Sequence, residues 1–173
     1  MTRFVALLRG VNVGGITIKS ADLAAVFRRL GLADVATVLA SGNVVFTADD
    51  EASALKPRIE AALSERFGYD AWVHVLTTDR LREIVDAYPF EERDGWHAYV
   101  VFTLSDEPRD ALLGVDVDPS LERVAPGAGV VYWTVERGAT LTSPVGKAAA
   151  PARFKAVTTT RNLRTLRKLL SRG

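Results

Sequence analysis

Apolar residues recur along this chain in two rhythms, and the switches between them lay out the elements. Residues 3–8, Arg-Phe-Val-Ala-Leu-Leu, form a short apolar run that predicts a buried strand. Further on, Leu23, Val26, Phe27 and Leu30 fall at i, i+3, i+4 and i+7, which is one face of a helix. Ser20 is placed to cap that helix, Asp22 lies in its first turn and Gly31 ends it. Val35 to Leu39 and Val44 to Thr47 read as two strands joined through Ser41-Gly42-Asn43 as a hairpin. Asp49-Asp50-Glu51 opens a second helix with Leu55, Ile59, Ala62, Leu63 and Phe67 along one side, and Gly68 stops it. Ala71 to Leu76 is a fourth strand. The order is β-α-β-β-α-β, the split βαβ pattern of ferredoxin-like folds.

The second half repeats that order less cleanly. A helix from Asp79 carries Leu81, Ile84, Val85 and Tyr88 and closes at Pro89. Ala98 to Leu104 reads as a strand and Glu107 to Leu113 as a short helix. Leu121 to Ala125 and Val130 to Val135 form a hairpin around Pro126-Gly127-Ala128-Gly129. Residues 138–153, rich in Gly, Ala, Thr and Pro, carry no assignable pattern. Phe154 to Val157 is expected as an edge strand. Thr159 or Thr160 then caps a last helix, with Leu163, Leu166, Leu169 and Leu170 on one face and Arg161, Arg164, Lys168 and Arg172 on another. The expected fold class is α+β: two ferredoxin-like halves with antiparallel sheets, over 1–77 and 78–158. A basic C-terminal helix over 159–173 packs on the body.

Charge sharpens this picture. Residues 1–136 hold 13 Lys and Arg against all 21 Asp and Glu, a net −8, while residues 137–173 hold 9 Lys and Arg and no acid. Either the basic tail neutralises the acidic stretch Asp79 to Glu122, or it presents a basic face to phosphates or nucleic acid. No apolar run approaches the roughly 20 residues needed to cross a bilayer, so no membrane partner is expected. The first residues do not read as a secretory signal. With zero cysteines there is no disulfide framework, thiol nucleophile or thiolate metal site. Cytoplasmic location is the expectation, and no cofactor is predicted.

Three polar stretches carry the candidate chemistry. Arg9-Gly10-Val11-Asn12-Val13-Gly14-Gly15 follows the first strand, but Ile16 and Thr17 stand where a Walker A loop needs Lys and Ser/Thr. The spacing of Gly10 and Gly14 also fails the dinucleotide fingerprint. What remains is a βα connection with exposed backbone N–H groups, or a long turn with Asn12 bonding its own backbone. Ser41-Gly42-Asn43 has the chemistry of a tight hairpin. Thr160-Arg161-Asn162 puts an arginine fork at the expected start of the last helix, where free N–H groups attract anions. An ion pair of Arg161 with one of the chain's many acids is the alternative. His74 and His97 lack the spacing of a metal site, and Asp116-x-Asp118 lacks the other ligands of a calcium loop.

These stretches resemble an uncharacterised bacterial family, domain of unknown function 1697. The family's L-R-G-[IV]-N-V-G-G is matched by Leu8 to Gly15, its S-G-N-V-V-F by Ser41 to Phe46, and its T-x-R-N by Thr159, Arg161 and Asn162. The resemblance implies an α+β fold of ferredoxin-like units and no established activity, so no catalytic residue carries over. Leu163 stands where the family has Trp, and Ser143 to Arg153 replaces its S-K-L stretch.

The expected partner is therefore an anionic small molecule, phosphate- or nucleotide-containing. The expected site is a cleft lined by Arg9, Gly10, Asn12, Gly14, Gly15, Ser41, Asn43, Arg161 and Asn162. An enzyme acting on a small phosphorylated or carboxylate substrate is the first alternative. Nucleic-acid binding through the basic tail is the second.

Overall fold

The computed structural model describes residues 1–9, 17–39 and 42–172. The chain divides into two compact units, Met1–Glu83 with Thr165–Gly173 and Ile84–Arg164.

The first unit contains β1 (Thr2–Arg9), α1 (Ser20–Arg29), β2 (Ala33–Thr37), β3 (Asn43–Ala48), α2 (Ala52–Phe67) and β4 (Trp72–Thr77). Its four strands lie in the order β2-β3-β1-β4, every neighbouring pair antiparallel, which is the ferredoxin-like arrangement. Alternation along β1 sends Phe4, Ala6 and Leu8 into a core with Leu23 and Phe27 of α1 and Leu55, Ile59 and Leu63 of α2. Phe46 sits at its centre, stacked on Phe4 at 5.6 Å and tilted against Phe27 at 5.4 Å. The other face of the sheet is as dry, with Val5, Leu7 and Val45 fully buried. Lys56 on α2 pairs with Glu60 at 2.6 Å, and the two side chains bond the carbonyl and the N–H of Val73 on β4.

Helix boundaries follow the glycines better than the polar caps. Gly68 ends α2 in the left-handed region at φ 70°, its N–H bonded to the Ser64 carbonyl, as its place after Phe67 predicts. Ser20, expected as a cap, is the first helical residue instead. The Lys19 carbonyl accepts from Leu23 N and takes the cap position without a side-chain bond. Glu51 caps α2 with no side-chain bond either, and Asp50 is drawn away by Arg58 at 2.8 Å.

Between β4 and β5 runs α3 (Thr78–Asp86). The second unit then holds β5 (Trp96–Thr103), α4 (Asp106–Leu113), β6 (Glu122–Gly127), β7 (Val130–Glu136), α5 (Pro144–Ala149) and β8 (Thr158–Asn162). The order β6-β7-β5-β8, again antiparallel throughout, repeats the first sheet. Val101, Val131, Trp133 and Val135 line one face and pack on Leu112 of α4 and Val145 of α5.

Two parts of this unit depart from the sequence expectation. Residues 138–153, without assignable pattern, contain α5, whose start is fixed by Ser143 Oγ accepting from Gly146 N at 3.0 Å and by Pro144 in the first turn. Its N-terminal backbone meets Glu122, which is fully buried: Oε2 accepts from Val145 N at 3.2 Å, and Oε1 from the Trp133 indole at 3.0 Å. Phe154, expected to open the edge strand, is instead the buried last residue of a 3-10 turn at Ala152–Phe154, and the strand begins four residues later. The β-branched run Thr158-Thr159-Thr160 pairs with β5, in register from Thr103↔Thr158 to Tyr99↔Asn162.

The last helix, α6 (Leu163–Ser171), buries Leu163, Leu166 and Leu169 and exposes Arg164, Lys168 and Arg172 as expected. Its start differs. Thr160 and Arg161 belong to β8, and Asn162 makes the cap, with Oδ1 accepting from Arg164 N at 2.8 Å.

Candidate functional site

Arg9 is the last residue of β1, opposite Trp72 on β4. It is half-buried, and burial lowers its guanidinium pKa from the ordinary arginine value because the charged form loses solvation. No hydrogen-bond acceptor or carboxylate among the described residues reaches that guanidinium. Gly10, Asn12, Gly14 and Gly15, expected beside Arg9, lie outside the described residues, as does Ser41.

Asn43 opens β3 and is completely buried. Its Nδ2 donates to the Val38 carbonyl at 3.0 Å, and Val38 N donates back to the Asn43 carbonyl at 2.9 Å. Gly42 beside it has φ 81°, in the left-handed region, and its carbonyl accepts from Leu8 N at 2.8 Å. The Asn43 side chain thus braces the β2–β3 connection while the Gly42 carbonyl ties it to β1, which is turn chemistry.

Arg161 is placed differently from its expected position. It is a buried residue of β8 opposite Val100, so the argument from a helix N-terminus does not apply to it. Its Nη1 donates to Thr159 Oγ1 at 2.6 Å and to the Thr160 carbonyl at 3.0 Å. Arg9 belongs to the first unit and Arg161 to the second.

Asn162 borders a cleft that lies wholly within the second unit. β8 ends opposite Tyr99, whereas β5 runs back to Trp96, so the β5 edge at 96–98 has no β8 neighbour. A cleft of about 230 Å³ occupies that notch. Ala98 and Thr134, opposite each other on β5 and β7, contribute to its wall. Arg93, His97, Arg137, Asn162 and Arg164 bring polar groups to it, and Glu92 and Asp94 border it as well. The Arg93 guanidinium lies 4.4 Å from the centre of the Trp96 ring. Arg93 and Arg137 escape a reading by local motif. They are exposed, far apart in sequence, and brought together only by the sheet register. The one available signal was position, since Arg137 directly follows the β7 pattern.

Among the described residues, no group of three or more His, Cys, Asp or Glu could hold a metal ion. Nor is any described helix long and apolar enough to cross a membrane.

These features define an α+β protein of two ferredoxin-like units with an arginine at the end of its first strand. The family model for a protein of unknown function (DUF1697) matches residues 1–132, and the chain belongs to that family. The match ends before Thr159, Arg161 and Asn162. Among solved structures, a conserved bacterial protein from Streptococcus pneumoniae is similar at TM-score 0.84 and 22% identity, over 99% of this chain and 98% of that one. An unknown protein from Galdieria sulphuraria aligns at TM-score 0.30 and 11% identity over 99% and 88% of the two chains, too distant to bear on the fold. No curated protein matches.

Proposed function

We propose that this protein binds a small anionic ligand, phosphate- or nucleotide-containing, with Arg9 as the residue that holds its charge. The observation that carries the reading is a half-buried guanidinium with no acceptor among the described residues. Burial without a partner penalises the charged form, and an incoming phosphate or carboxylate removes that penalty with a bidentate pair. Position adds support, because Arg9 ends a strand where the chain leaves the sheet, the usual place for binding groups on a rigid scaffold. In this reading Asn12 and the backbone of Gly10, Gly14 and Gly15 orient the ligand.

A thermal-shift screen of nucleotides, phosphosugars and organic acids tests this. A ligand at about 100 times its Kd stabilises the folded state by about 2.7 kcal/mol. Arg9→Ala should abolish the gain. A gain that survives in Arg9→Ala overturns the reading.

A further inference from the structure

The notch beyond the end of β8 has a chemistry independent of Arg9. We infer that it is a second binding site, in the second unit, for a compact phosphate group held by Arg93, Arg137 and Arg164. Three guanidinium groups border one cleft of about 230 Å³, and none of them forms an ion pair with any described carboxylate. That is so even though Glu92 and Asp94 border the same space. Arg58, Arg82 and Arg153 each have a carboxylate within 4 Å, whereas Arg109 and Arg123 have none among the described residues, so what sets the notch apart is that three such arginines border one cleft. The three forks at the notch therefore keep their donors available, and a tetrahedral dianion offers them enough acceptor oxygens.

The surrounding groups make the site directional. Arg93 lies over the Trp96 ring, a cation–π contact that occupies no N–H hydrogen bond and leaves its donors for a ligand. Asn162 Oδ1 is occupied by Arg164 N, which fixes the side chain and leaves its amide N–H groups as donors. His97, whose ring packs on Tyr99 at 5.3 Å, also borders the cleft. The carboxylate of Asp94 borders the cleft and disfavours a polyanionic strand more than a single phosphate. The ligand class is a phosphomonoester or free inorganic phosphate.

The test is an NMR titration of the full chain with inorganic phosphate and, separately, glycerol phosphate, following the Trp96 indole N–H. Both probes should shift that resonance and saturate. Tighter binding of the ester identifies an organic phosphate as the ligand, and equal binding identifies the free ion. Arg137→Ala and Arg164→Ala should each weaken binding about ten-fold, equivalent to about 1.4 kcal/mol. Arg109→Ala, elsewhere in the same unit, should leave it unchanged. All three arginines sit at or near the surface, and an unchanged amide spectrum confirms that each variant folds. The inference is overturned if the indole does not respond to either probe, or if Arg109→Ala weakens binding as much as the other two. Tighter binding of a single-stranded oligonucleotide at the same resonance overturns it too. Because the readout is local to Trp96, failure here is distinct from failure of the Arg9 reading.

Discussion

Replacing Glu122 by glutamine isolates the contribution of one buried carboxylate to the second unit. Its two oxygens accept separate donors, the Trp133 indole at 3.0 Å and Val145 N at 3.2 Å, in a fully buried setting. Glutamine keeps the shape but presents one oxygen and one NH2, so whichever way it turns, one donor faces another donor. A hydrogen bond to a charged group contributes about 1.5–3 kcal/mol, and an orphaned buried N–H costs about 1–3 kcal/mol. Taking these as overlapping rather than additive, Glu122→Gln should destabilise by about 2 kcal/mol. For a chain of this size that lowers Tm by roughly 4–8 °C. Urea denaturation followed by tryptophan fluorescence measures it.

The same reasoning makes a sharper demand in the Trp133→Phe background. With the indole donor gone, the glutamine oxygen is free to accept from Val145 N, and the penalty should fall toward zero. The coupling in that double-mutant cycle should be about 1–2 kcal/mol. Opposing all this is the cost of removing a carboxylate from water. If Glu122→Gln is as stable as the parent or more so, that cost outweighs the two bonds and the reasoning is refuted.

Two further outcomes follow from local geometry. A Cβ at Gly146 would press into the backbone carbonyl oxygen of Thr140, which cannot move aside as a side chain would. Gly146→Ala should therefore destabilise by about 1–3 kcal/mol despite alanine's better helix propensity, as read by thermal denaturation. Asp118 is held below the ordinary aspartate pKa, first by the Ser120 hydroxyl at 2.7 Å and then by the Ser120 N–H at 3.0 Å. A depressed folded-state value gives stability that is present above the unfolded-state pKa and lost as pH falls through the lowered one. An NMR titration should place the Asp118 midpoint below the ordinary range, and Ser120→Ala should return it part of the way.

Much of the architecture is legible in the residue pattern, because elements packed against a single core obey one period. Leu55, Ile59 and Leu63 show this on α2, as do Phe4, Ala6 and Leu8 on β1. The departures have a common cause. Thr158-Thr159-Thr160-Arg161-Asn162 uses residue types that serve both strands and helix caps, and only pairing with β5 decides between them. The six-residue α5 has little local preference of its own. It depends on Glu122, distant in sequence, and on the close approach of Thr140 to Gly146. Of the expected site, Arg9 stood out because it interrupts an apolar run at a strand end. Asn43 was equally visible as part of a turn. Arg164 was visible only as part of the basic face of the last helix and Arg137 only by its place after β7; their convergence with Arg93 is a property of the sheet.

The division of the chain gives its synthesis an order. The second unit is a contiguous segment, residues 84–164, set between the two pieces of the first. Arg3 Nη2 donates to the Arg172 carbonyl at 2.9 Å, joining the two pieces of the first unit. A ribosome adds about 5–20 residues per second and delivers residues 165–173 only after the whole of the second unit. The later-encoded unit is thus the one that can complete itself first. The unit bearing Arg9 waits for residues 165–173, so a chain stopped before them leaves it unfinished.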